Sequence, residues 1–225
     1  MDKKIAFLGT PNFAVPILKS IHQSNYKISC VFSQPPRKSN RGHKLNKSPI
    51  HLLSEELGIE IKTPENIEKE IDYIKSLNLD LAIVVAYGQI LSKDILSLSK
   101  NGFINIHASL LPKWRGAAPI QRSLINMDKI TGLSIMKINQ KLDGGPVCNK
   151  YQLDILENEN AKSLSDRLSN LAAEKILTNI ENILQQKANF EEQDSSMATY
   201  AKKIEKIESK INSVSYTHLT LPTIA

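Results

Sequence analysis

The sequence predicts an α/β fold of the Rossmann-like kind, a mostly parallel sheet with helices on both faces. Two observations predict the sheet: short apolar runs recur through the first half of the chain, and stretches with helical spacing fall between them. Strands that alternate with helices are joined by crossovers. Such sheets are covered on both faces, so their strands read as apolar runs rather than as alternations. A third observation is a long amphipathic pattern toward the C-terminal end, which supplies a helix with one face to bury.

In chain order, residues 5–8 form the first strand and residues 13–24 the first helix. Gly9, Thr10 and Pro11 make the turn between them, with Pro11 at the helix start, where a missing N–H is tolerated. The second strand covers 28–33, and residues 34–47 form a loop with two prolines and Gly42. Helical patterns at 49–57 and 67–76 precede a strand at 81–86. The next strand, 103–107, has two polar residues, Asn105 and His107, inside an apolar run. Further strands at 132–138 and 147–153 flank a loop containing Asp143-Gly144-Gly145. Leu164, Leu168, Leu171, Ile176, Ile180 and Ile183 then recur at helical spacing over 161–186. After Gln186 the periodicity fades. Residues 1–187 read as one domain and 188–212 as a linker or an arm extended over it. Residues 213–225 turn to Ser, Thr and Tyr with almost no charge, and are expected to be a non-native end.

Hydrophobic content of 41% and charged content of 23% belong to an ordinary soluble globular protein. No run approaches about 18 apolar residues, so no membrane span is expected. The N-terminus goes almost straight into a strand, so no signal peptide is expected. Cys30 and Cys148 sit in strands without metal-ligand spacing, and are expected to be buried thiols in a reducing cytoplasm. The net charge of +6 is unevenly spread. Residues 1–54 hold nine Lys and Arg against Asp2 alone, whereas the rest of the chain holds 20 basic and 22 acidic residues. An excess confined to one quarter points to a polyanionic partner approaching from one side. Arg37, Lys38, Arg41, Lys44 and Lys47 crowd the 34–47 loop, which reads either as a solvated face or as a nucleic-acid contact. In the second case each phosphate contact adds roughly 0.7–0.9 to the salt slope of binding.

Asn105 and His107 lie two apart on a strand, so their side chains point to the same face. Burying an amide and an imidazole costs roughly 1–3 kcal/mol each unless both find partners. On a strand leading into Ser109-Leu110-Leu111-Pro112, the two together read as a site. Asp143 alone is a loop carboxylate before a Gly-Gly turn; it joins the site only if the fold brings it to His107. A donor, a proton carrier and a carboxylate suit addition to a carbonyl, where charge develops on oxygen and a proton must move. Ala86, Tyr87 and Gly88 end a central strand. Open α/β sheets hold ligands outside the carboxyl ends of strands, and a glycine there permits close approach; a plain strand-to-loop turn is the alternative. The turn at Gly9 lacks the glycines of a dinucleotide fingerprint. Trp114 and Arg115 follow the Pro112 turn, the Trp being expected in the core rather than on a ligand.

Asn105-Ile106-His107 running into Ser109-Leu110-Leu111-Pro112, with the distant Asp143, resembles the hallmark of the 10-formyltetrahydrofolate-dependent formyltransferases. Three other stretches resemble the branch of that family that formylates methionyl initiator tRNA. They are Phe7-Leu8-Gly9-Thr10-Pro11-Asn12-Phe13-Ala14, the loop from Gln34-Pro35 to Arg41-Gly42-His43-Lys44-Leu45, and Trp114-Arg115-Gly116-Ala117-Ala118-Pro119-Ile120-Gln121-Arg122. Two positions depart from the family. Pro36 stands where an acidic residue is usual, and Asp143 is followed by Gly144-Gly145-Pro146 rather than Thr-Gly-Asp.

The resemblance implies a Rossmann-like formyltransferase fold with Asn105, His107 and Asp143 as its catalytic residues. It implies 10-formyltetrahydrofolate as co-substrate and no metal, with folate near Ala86, Tyr87, Gly88, Ser109, Leu110, Leu111 and Pro112. Initiator methionyl-tRNA is then the partner, met by Arg37, Lys38, Arg41, Lys44 and Lys47, with Arg41 entering its acceptor-stem end. A cytoplasmic monomer without membrane contact is implied. So is a C-terminal β-barrel domain beyond the arm, and the chain is expected to stop where that domain begins. Three alternatives stay open: formyl transfer to an amino-sugar nucleotide, deformylation of the folate, and a non-enzymatic RNA-binding α/β domain.

Overall fold

The computed structural model describes residues 3–39 and 44–209. Its elements begin with β1 (Lys4–Gly9), α1 (Val15–His22), β2 (Lys27–Phe32), β3 (Arg37–Ser39), β4 (Lys44–Asn46), α2 (Pro49–Glu56) and β5 (Ile61–Lys62). They continue with α3 (Ile71–Ser76), β6 (Leu81–Val85), α4 (Lys93–Leu96), β7 (Phe103–His107), β8 (Arg115–Gly116) and α5 (Pro119–Ile125). The last are β9 (Ile130–Lys137), β10 (Val147–Asp154), α6 (Ala161–Leu184) and β11 (Tyr200–Ala201).

Seven strands form the main sheet in the order β10-β9-β7-β6-β1-β2-β5. The five from β7 to β5 are parallel, and β9 and β10 extend the sheet antiparallel. The mostly parallel sheet is therefore as expected. Alternate residues of β1 serve two cores. Ile5 and Phe7 pack with Ile17, Ile21, Leu168 and Ile180 from α1 and α6, whereas Ala6 and Leu8 pack with Ile74 and Ile95 from α3 and α4. Helices thus cover both faces. From β1 the chain passes to β2 on one side, and β6 lies on the other. The carboxyl ends of β1 and β6 are the switch point where such sheets open a crevice.

Two helix starts follow from local chemistry. Ser48 Oγ accepts from the His51 N–H ahead of Pro49 at the start of α2, and Asn160 and Ser163 form a capping box on α6. The short elements β5, α4, β8, α5 and β11 had no counterpart in the sequence pattern, because two to seven residues span too few periods to register. Part of the basic loop is an antiparallel hairpin, Arg37 pairing with Asn46. Arg41 and the tail at 213–225 lie outside the described residues. After α6 the chain runs back over the domain as an arm: Glu191 bridges to Val147, and β11 pairs in parallel with β8. Among the described residues no helix is long and apolar enough to cross a membrane. Cys30 is buried and Cys148 half-buried, both as free thiols, and burial pushes each up to about 11.

Candidate active site

β7 is central, flanked by β6 and β9, and carries Asn105 and His107 at its carboxyl end. Asp143 arrives on the loop between β9 and β10, closed at its neck by the Lys137 N–H donating to the Pro146 carbonyl at 2.9 Å. A Cβ on Gly145 would run into the Lys137 carbonyl, so the close approach requires glycine there. Asp143 itself has a left-handed φ of 44°. The structure brings the three residues together. Asn105 Nδ2 donates to Asp143 Oδ1 at 3.3 Å, and the Gly116 N–H donates to Oδ2 at 2.8 Å. His107 Nδ1 stands 3.7 Å from the same Oδ2, just beyond hydrogen-bond reach.

The other imidazole nitrogen, Nε2, lies 2.8 Å from the Trp114 carbonyl. A carbonyl only accepts, so Nε2 carries a proton and Nδ1 faces the carboxylate. Nδ1 is therefore the nitrogen free to take up a proton, on the side that faces the Asp143 carboxylate. Trp114 is half-buried in a left-handed conformation, φ 61°, anchored by its indole Nε1 donating to Asp128 Oδ2 at 2.8 Å. Burial alone would raise the Asp128 carboxyl. Hydrogen bonds from Lys113, Trp114 and Asn126 outweigh burial and hold it below the ordinary carboxylate value.

These residues open into a cavity of about 650 Å³ at the switch point, a volume suited to one small-molecule ligand. Asn105, His107 and Asp143 line it, and so do Ala86, Tyr87 and Gly88. The exposed apolar side chains of Ile90 and Leu142 lie at its mouth. The Tyr87 carbonyl is gripped by Thr10 Oγ1 at 2.9 Å and Gln34 Nε2 at 3.2 Å, tying the ends of β1, β2 and β6 together. Ser109, Leu110, Leu111 and Pro112 do not line the cavity. They form the turn behind it: Ser109 Oγ donates to the Lys113 carbonyl at 2.5 Å. Ser134 Oγ accepts from the Leu111 N–H and donates to the Ser109 carbonyl. In the basic hairpin, Arg37 Nη2 donates to Gln34 Oε1, and Lys47 is ion-paired with Glu55 at 2.5 Å. Lys38 and Lys44 lie on its two strands.

Sequence reasoning missed three contributors: the Trp114 carbonyl, the Gly116 N–H and the Gln193 amide, which donates to the Asp143 and Gly145 carbonyls. Two are backbone groups, invisible in residue identity. Gln193 lies in the aperiodic arm, where no pattern distinguishes it from its neighbours.

A ligand-sized cavity at the switch point of an open α/β sheet, with a donor, an imidazole and a carboxylate converging on it, defines a group-transfer site. Residues 3–180 match the family model described as formyl transferase, and the chain belongs to that family. It is 58% identical over 94% of its length to methionyl-tRNA formyltransferase of Pelagibacter ubique (strain HTCC1062), spanning 69% of that relative. It is 43% identical over 93% of its length to methionyl-tRNA formyltransferase of Caulobacter vibrioides (strain NA1000 / CB15N), spanning 68% of it. The fold is similar to that of the N-formyltransferase from Helicobacter canadensis solved in complex with folinic acid and dTDP-3-aminofucose. That likeness has a TM-score of 0.73 at 21% identity, over 94% of this chain and 75% of that one.

Proposed function

We propose that this chain transfers the formyl group of 10-formyltetrahydrofolate to the α-amino group of methionine on initiator tRNA. The observation that carries the reading is the convergence of Asn105, His107 and Asp143 on one cavity in a chain of this family. The shared name of its relatives favours methionyl-tRNA as acceptor over an amino-sugar nucleotide. Residues 1–187 form the catalytic domain in this reading. The apolar walls beside Ala86, Tyr87 and Gly88 fit the flat ring system of a folate, and the polar end of the cavity fits its formyl group.

In the reaction, the amine attacks the formyl carbon, and the bond from that carbon to folate N10 breaks. One proton leaves the amine and one reaches N10, so none is gained or lost overall. Asn105 has two amide hydrogens, of which Asp143 Oδ1 takes one. The other is a donor for the formyl oxygen as negative charge develops there. His107 carries the moving proton, its ring fixed by the Trp114 carbonyl on one side and the Asp143 charge on the other. The basic 34–47 loop, with Arg37, Lys38, Arg41, Lys44 and Lys47, meets the tRNA backbone.

Incubating the protein with 10-formyltetrahydrofolate and methionyl initiator tRNA, beside an amino-sugar nucleotide, tests the proposal. Formylmethionyl-tRNA is the expected product. Formation of only the formylated sugar, or of free formate, would overturn it.

A further inference from the structure

We propose that Gln193, oriented by the buried Arg115, is a positioning residue that holds Asp143 in its working place; the inference rests on the catalytic assignment above. Arg115 is 3% exposed, and among the described residues its partner is not a carboxylate but an amide. Its Nε and Nη2 donate to Gln193 Oε1 at 3.0 and 2.9 Å. A guanidinium can only donate, so it dictates which end of the amide faces it. The amide nitrogen must then face the other way, and its two hydrogens go to the Asp143 carbonyl at 2.8 Å and the Gly145 carbonyl at 2.7 Å. Every donor and acceptor position of the amide is used.

The residue after Arg115 completes the grip, because the Gly116 N–H holds Asp143 Oδ2 at 2.8 Å. Asp143 is thus restrained at both main chain and side chain, and its left-handed φ of 44° needs such support. Gln193 reaches this position because the arm is pinned at both ends, by the Glu191–Val147 bridge and by the pairing of β11 with β8. A glutamate of the same shape could not substitute. It would turn a carboxylate oxygen toward two carbonyl oxygens and leave both without a donor.

The test compares wild type with Gln193→Ala, Gln193→Glu, Asp143→Asn and the double variant Gln193→Ala/Asp143→Asn. Both single Gln193 variants should lower kcat by about 10- to 100-fold, with KM for each substrate within about twofold of wild type. In the Asp143→Asn background, Gln193→Ala should lower kcat no further, since its effect passes through that carboxylate. Undiminished kcat in both single variants, or losses that multiply in the double variant, would overturn the inference. Amide exchange gives a readout independent of turnover. The Gly144 N–H, which donates to the Lys141 carbonyl at 3.1 Å, should exchange faster in Gln193→Ala; an unchanged rate counts against the bracing. Wild-type protein that forms no formylmethionyl-tRNA would refute the acceptor assigned above, and the exchange experiment would still decide the role of Gln193.

Discussion

Replacing Asp143 by Asn keeps the side chain's size and removes its charge. Oδ2 lies 3.7 Å from His107 Nδ1, and the two side chains are only 17% and 7% exposed. At that separation, with an effective dielectric of about 20, an imidazolium and a carboxylate attract by about 4.5 kcal/mol. If His107 is protonated in the transition state, Asp143→Asn forfeits this term, which corresponds to about 10³-fold in kcat. The hydrogen bonds add to the loss. The Gly116 N–H still needs an acceptor where Oδ2 stood, so the new amide nitrogen takes the Oδ1 position and meets Asn105 Nδ2, donor against donor. Asn105 must then turn its amide over, and its nitrogen is no longer held. The apolar walls are untouched, so folate affinity should change little. Single-turnover formylation of methionyl initiator tRNA at saturating folate measures the first quantity, and equilibrium folate binding the second. A kcat within about tenfold of wild type would show that this ion pair is not part of the transition state.

Three further predictions test the site and its surroundings. Asn105→Ala should lower kcat by about 10²–10³, as loss of one oxyanion donor does, with the circular dichroism spectrum of wild type. In the basic hairpin, Arg37→Ala should reduce the salt slope of tRNA binding by about 0.7–0.9, whereas Lys47→Ala should change it less because Glu55 already neutralises Lys47. Asp128→Asn should destabilise the protein in urea at pH 7. The folded-state pKa of Asp128 lies below 3.8, because hydrogen bonds from Lys113, Trp114 and Asn126 outweigh the upward pull of burial. Its contribution is therefore complete above that value and is lost as pH falls through the lower folded one, so the gap between wild type and variant should close in that acid range.

The sheet could be read from the sequence because strands buried on both faces must be apolar, and β1, β6 and β7 leave that signature. Asn105 and His107 were readable for the complementary reason, as polar groups in an apolar run. Their meeting with Asp143 was not. It depends on the loop after β9: antiparallel pairing sets Asn105 opposite Met136 and Ile104 opposite Lys137, so the loop leaves beside the amino-terminal side of β7 and folds back to bring Asp143 to Asn105. Register between distant strands leaves no trace in local periodicity. Gln193, 50 residues beyond Asp143 in a polar segment, was further still from any local signal. The Ser109–Pro112 motif is expected at the folate, yet the cavity lining passes it by. Its polar groups serve the turn through Ser134 and Lys113.

The departure of the Asp143 loop from the common Asp-Thr-Gly-Asp pattern bears on why the bracket matters. Gly145 coincides with the glycine of that pattern, at the position where a Cβ would strike the Lys137 carbonyl. Gly144 replaces the threonine. A Cβ there would stand 2.9 Å from Lys141 Cβ, so the glycine avoids a tight contact with the Lys141 side chain, whereas Arg115 Nη1 at 3.4 Å would be an ordinary neighbour. The replacement also adds a second glycine beside the carboxylate, and two adjacent glycines lose more conformational freedom on ordering than a Thr-Gly pair does. Two of the main-chain restraints on this loop, at Asp143 and Gly145, come from the single side chain of Gln193. A carboxylate mounted on a flexible loop can face His107 reproducibly only if something outside the loop fixes it. Here that support comes from the arm, which makes residues after α6 part of the site's construction and not merely a connection away from it.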